Sequence, residues 1–131
     1  MNPSKVARLA ILCFGIAVSI SLPKVQAQQY AQPQENCVTD FYDPASYNWL
    51  SYRNQCGASV HVQFVSNQPS SISGSMDIPA GGHTSTGYSA SEVNAAGGVR
   101  RYVCPAGYLA YDTSGHMIMN TAVAQYVCKQ Q

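Results

Sequence analysis

The chain has 131 residues, 10% of them charged and 46% hydrophobic, with five cysteines and a formal net charge of +1. That length holds one domain of ordinary size rather than two. The sparse charge excludes a nucleic-acid binder, which needs a basic patch against phosphates, and ordinary hydrophobicity with little net charge excludes a disordered chain.

Residues 1–27 read as a secretory signal peptide. Lys5 and Arg8 supply a positive start, an apolar run extends from Leu9 to Leu22, and Pro23 ends any helix there. Val25-Gln26-Ala27 presents small side chains at the positions a signal peptidase probes, so cleavage is expected after Ala27. The 14 apolar residues fall short of a transmembrane span, which needs about 17–25. A lipid attachment at Cys13 fails because bulky Leu12 precedes it. The mature product is therefore expected to be soluble and secreted, extracellular or periplasmic, with no membrane insertion. Removing 27 of the 131 residues leaves 104; seven basic side chains become four against six acids, a net charge of −2, and five cysteines become four.

Those four are Cys37, Cys56, Cys104 and Cys128. An even number in a short exported chain points to two disulfides. Three pairings are open at this point. No C-x-x-C knuckle is present, so no metal is expected at the cysteines.

Residues 28–36 have no apolar period and read as a flexible N-terminal tail, ahead of a stapled domain over 37–131. Asp43-Pro44 marks a turn. Residues 49–56 read as a strand with Leu50, Tyr52 and Cys56 on one face. After Gly57-Ala58, residues 59–65 alternate Val60, Val62 and Phe64 with His61 and Gln63, the period of a half-buried strand. Residues 67–74 form a polar loop, and 75–78 pair again before the Pro79-Ala80-Gly81-Gly82 turn. A strand follows over 84–89. Ser89 and Glu92 have capping-box spacing, which predicts one helical turn near 91–95, closed by Gly97-Gly98. Short strands over 99–104, 108–111, 117–119 and 121–128 complete the chain. The expected fold is all-β: a small antiparallel β-sandwich, or a partly open barrel, with two disulfides.

Asn54-Gln55-Cys56 followed by a Val-x-Val strand, then Ile78-Pro79-Ala80-Gly81-Gly82, then Cys104-Pro105 and a closing Tyr126-Val127-Cys128, form a layout over residues 37–128. It resembles small exported bacterial β-proteins with N-x-C, P-x-G and C…Y-x-C motifs. The resemblance implies a β-sandwich with local bridges, Cys37–Cys56 and Cys104–Cys128, with the nested pairing Cys37–Cys128 and Cys56–Cys104 as the alternative. It implies no catalytic or binding residues.

Catalytic constellations are weak. His61 lies on the less apolar face of its strand and reads as a surface residue. His83 and His116 sit beside glycines, with no carboxylate spaced to orient them. There is no G-x-S-x-G elbow, no carboxylate pair of predictive spacing, no calcium loop and no phosphate loop. No enzyme, cofactor or metal is therefore expected. Arg100-Arg101 reads as a solvated pair on opposite strand faces, or a small contact for an acidic partner. Aromatic residues are more suggestive, since tyrosine and tryptophan give rigid, amphipathic contact area. Tyr42, Tyr47 and Trp49 cluster near a strand entrance with Arg53 following, while Tyr108 and Tyr111 flank another edge. They are the candidate ligand-binding residues of a secreted, non-catalytic module for a glycan or a protein. The alternative is an inhibitor of a secreted hydrolase, a lysozyme or protease, acting through loops 67–74, 79–84 and 112–116.

Overall fold

The clearest alternation in the sequence becomes the centre of the molecule. In the computed structural model, which describes residues 29–67 and 71–131, strand β4 (Val60–Ser66) lies between β5 (Ser73–Ile78) and β7 (Val99–Pro105). A second sheet has the order β2 (Val38–Asp43), β3 (Trp49–Asn54), β6 (His83–Ser89). A third has the order β1 (Tyr30–Ala31), β9 (Tyr126–Gln130), β8 (Tyr108–Asp112). All the strand pairs are antiparallel. The expected signal peptide, and residues 68–70 of the expected loop, lie outside the described residues.

Alternation on β4 and β7 feeds two cores at once. Val60, Val62, Phe64 and Val103 face the second sheet and pack with Val38, Leu50 and Tyr52. On the opposite side Val65, Tyr102 and Cys104 pack against Ala110, Tyr126 and Cys128. The all-β antiparallel sandwich is thus present, with the third sheet as a partial outer layer over the middle one. Among the described residues, no sheet closes into a barrel. Opposite Phe64, Gly74 is required by close approach: a Cβ there would meet the Phe64 ring carbon at 2.5 Å.

The disulfides are Cys37–Cys56 and Cys104–Cys128, the pairing the resemblance implies. Two disulfides fit an oxidising compartment. Among the described residues, no helix is long and apolar enough to cross a membrane.

The short motifs meet each other. Buried Asn54 donates through Nδ2 to the Ala58 and Ile78 carbonyls, both at 2.9 Å, and its Oδ1 accepts from Cys56 N at 2.8 Å. Its backbone N–H donates to Gly82 O and its C=O accepts from Gly81 N, both at 2.9 Å. The turn after Pro79 is therefore docked on the end of β3. Tyr126 plays a comparable part at β7, an edge strand. Its hydroxyl accepts from Val103 N at 2.9 Å and donates to Val103 O at 3.0 Å, taking the place of a neighbouring strand. Burial pushes the Tyr126, Tyr52 and Tyr102 phenols up from their ordinary range, so they remain neutral hydrogen-bonding groups. Replacing Tyr126 by phenylalanine leaves the buried Val103 N–H without this acceptor. The expected cost is about 1–3 kcal/mol, measured by urea unfolding; a loss below about 0.5 kcal/mol would remove the hydroxyl's assigned role.

Several elements differ from expectation. Within the expected tail, Tyr30 and Ala31 pair with Lys129 and Cys128, and Gln34 N donates to Val103 O. Residues 38–43 form a strand that the sequence pattern hides, because Asp40 sits at an alternate position and is paired with Arg101 at 2.7 Å. The expected strand over 117–119 is reduced to a single bridge, Met117 to Tyr111. The last strand begins at Tyr126 rather than at 121. The helical turn forms as α1 (Ala90–Ala95), with both hydrogen bonds of the capping box in place.

Candidate functional site

The β2–β3 connection begins with a capped turn. Asp43 Oδ1 accepts from Ala45 N at 3.0 Å, Oδ2 accepts from the Ser46 hydroxyl at 3.3 Å, and Pro44 supplies a preset φ at the first turn position. The chain then returns to β3 through two non-glycine residues in the left-handed region, Tyr47 at φ 53° and Asn48 at φ 57°. A bulky aromatic residue there costs about 1 kcal/mol or more. The Tyr47 ring is held outward, 82% exposed, with its centroid 5.0 Å from that of Trp49.

Cross-strand register sets which side chains join it. Asp43 is opposite Trp49, Phe41 opposite Ser51 and Thr39 opposite Arg53, so these six share one face of the sheet. On the neighbouring strand His83 is opposite Arg53. The Arg53 guanidinium lies over the Phe41 ring, 4.8 Å from its centroid, and the His83 ring approaches Phe41 edge-on at 5.9 Å. His83 Nε2 also lies 3.6 Å from Asp43 Oδ2. The outer face of the second sheet therefore carries Tyr47 and Trp49, then Phe41 under a cation, with a histidine–carboxylate pair between strands.

Of the residues expected from sequence, Tyr47, Trp49 and Arg53 are brought together here. Tyr42 is not. It is opposite Leu50, on the alternate face, and lines a cleft with Asp40, Val93 and Arg101. Phe41, His83 and Asp43 complete the face and were not singled out as ligand contacts; period-two alternation around Trp49 selects Phe41 once β2 is known to be a strand. Tyr108 and Tyr111 are half-buried on opposite faces of β8, Tyr108 against the core and Tyr111 near the Lys129 ammonium at 5.8 Å. Arg100 and Arg101 do point to opposite faces, and both are tied down: Arg100 donates to Ala124 O at 3.0 Å, Arg101 to Asp40 and to Val38 O, both at 2.7 Å.

The fold gives each histidine the carboxylate that spacing did not reveal. His61 Nδ1 is 2.7 Å from Asp77 Oδ1, across the β4–β5 pair, and its side chain is only 16% exposed rather than a surface group. His116 Nδ1 is 3.7 Å from Asp112 Oδ2. Asp112 Oδ1 accepts from His116 N and Ser114 N, each at 2.9 Å, and these backbone donors hold its carboxyl below the usual range. His61 Nε2 has no hydrogen-bond partner among the described residues. Among the described residues, no group of three or more His, Cys, Asp or Glu could hold a metal ion.

Compared with known proteins, the chain matches no family model, no curated protein and no solved structure.

Proposed function

We propose that the protein is an exported, non-catalytic binding module that takes a saccharide on the outer face of the β2–β3–β6 sheet. The observation that carries this reading is Tyr47, a bulky residue kept in a left-handed conformation with its ring exposed beside Trp49. Strain of this kind concentrates at functional sites. Sugar rings present apolar C–H faces flanked by hydroxyls. Aromatic faces suit the former, while the exposed Arg53 and His83 suit the latter. Export through cleavage after Ala27 belongs to the same reading, and the two disulfides support it.

Trp49 is the sole tryptophan, so its fluorescence reports this face directly. Cell-wall or surface polysaccharides are expected to quench it saturably. Tyr47→Ala should weaken binding at least about tenfold, the equivalent of about 1.4 kcal/mol, whereas Tyr42→Ala on the alternate face should leave it unchanged. Flat titrations across a broad polysaccharide panel, or equal losses at Tyr42 and Tyr47, would overturn the assignment. A hydrolase inhibitor would instead show flat titrations together with near-stoichiometric inhibition of a lysozyme or protease.

A further inference from the structure

Three arginines lie among the described residues, and two are already engaged. Arg100 donates to Ala124 O, and Arg101 to Asp40 and Val38 O. Arg53 differs. It is exposed, and its guanidinium makes no hydrogen bond or ion pair among the described residues; it rests over the Phe41 ring, 4.8 Å from the centroid. That cation–π attraction consumes no N–H. It does restrict the side chain, so less rotamer freedom is lost when a ligand arrives. A rigid fork of N–H donors is thus held ready beside the aromatic residues.

The charges around this fork are unevenly placed. Thr39 is opposite Arg53 across β2–β3 and His83 is opposite it across β3–β6, so no carboxylate adjoins it in register. The acidic groups near this face belong to its Trp49 end. Asp43 is opposite Trp49, with its side chain 11% exposed. Its oxygens accept from Ala45 N and the Ser46 hydroxyl, and Oδ2 also lies 3.6 Å from His83 Nε2. Glu92 accepts from Ser89 N, and Ser89 is again opposite Trp49. From Trp49 to Arg53 is a step of about 13 Å along one strand, longer than a single sugar ring. The face is aromatic at one end and cationic at the other. Residues 28–131 carry four basic against six acidic side chains, so the overall field gives a dense polyanion no advantage. One local fork suits one carboxylate, which it can hold bidentately.

We infer that the saccharide is an acidic one, a uronate-bearing chain whose carboxylate takes the Arg53 fork while a ring further along stacks on Trp49 and Tyr47. The inference rests on the saccharide reading and names the class of sugar within it.

The test titrates the oxidised protein with polygalacturonate, alginate and hyaluronan, each beside its methyl ester, and reads the quenching of Trp49. At least one uronate chain is expected to quench saturably. Its ester, with the same rings but no charge, should bind at least about tenfold more weakly. Arg53→Gln should weaken the acid by a similar factor and the ester by less than about twofold; retained ester binding also shows that the variant is folded. Arg53→Lys keeps the charge but not the fork, and should lose about threefold or more. Lys129→Gln, on β9 in the third sheet, should change nothing. Equal affinity for acid and ester, indifference to Arg53→Gln, or equally tight binding of dextran sulfate would overturn the inference and leave the saccharide reading in place. Saturable quenching by neutral polysaccharides alone would do the same. Quenching by no acidic or neutral chain would overturn both.

Discussion

Replacing Cys104 and Cys128 together by alanine is expected to cost about 3–5 kcal/mol and to release the β1–β9–β8 sheet before the rest of the molecule. The bridge closes a separation of 24 residues, and on chain entropy alone a loop of that size gives about 3 kcal/mol. Both cysteines are 0% exposed within the second core, so their removal also empties packed volume. More important is what else holds the third sheet. Among the described residues no strand ladder joins it to the middle sheet; the Tyr126 hydroxyl, the Gln63 contact to Ala110 and the apolar core carry the join. Hydrogen exchange should therefore show amides of β8 and β9 losing protection first, while β2, β3 and β6 keep theirs. The Cys37–Cys56 bridge is different in kind. It spans 19 residues at the open end of a hairpin already paired from Val38–Asn54 to Asp43–Trp49. Its loss should lower global stability without detaching a layer. Uniform loss of protection in the Cys104/Cys128 variant would show that the third sheet is not separately tethered.

Asn54→Ala is expected to be the most damaging single substitution of a polar residue, at about 3 kcal/mol. The amide makes three hydrogen bonds to backbone groups, at 2.8 to 2.9 Å, and the side chain is fully buried. Alanine supplies none of these partners and takes a donor from the Ile78 carbonyl in the interior. Urea unfolding should show a lowered midpoint with an unchanged slope. Gln55→Ala, one residue on and exposed, is the control and should stay within about 0.5 kcal/mol. Equal effects at the two positions would mean that the Asn54 network contributes nothing particular.

Much of the architecture is legible in the residues because period-two alternation survives where one face is apolar. The Val60–Phe64 strand, the turn at Pro79–Gly82 and the capping box at Ser89 and Glu92 all follow local rules, and each appears. What escaped was decided by distant partners. Strand β2 places Asp40 where an apolar residue would announce a strand, and only Arg101, 61 positions away, explains it. Tyr30 and Ala31 have no pattern of their own because a two-residue strand is defined wholly by the strand it joins. The candidate face was half visible for the same reason. Tyr47, Trp49 and Arg53 lie close in sequence, but Phe41 and His83 enter through cross-strand register, and a strand assignment for β2 would have moved Tyr42 to the other side. The His61–Asp77 pair is likewise a property of β4–β5 register, not of spacing along the chain.

The pairing of β1 with β9 also orders events in time. Tyr30 and Ala31 find their partners only at Lys129 and Cys128, about a hundred positions further along the chain. During synthesis from the N-terminus, β1 must wait until residues 128 and 129 have emerged. The Cys37–Cys56 bridge can be oxidised early, once its hairpin is out, whereas Cys104 waits for Cys128. Assembly of the third sheet is thus the closing step, and a chain truncated within its last few residues would be left with β1 unpaired and a lone thiol on β7.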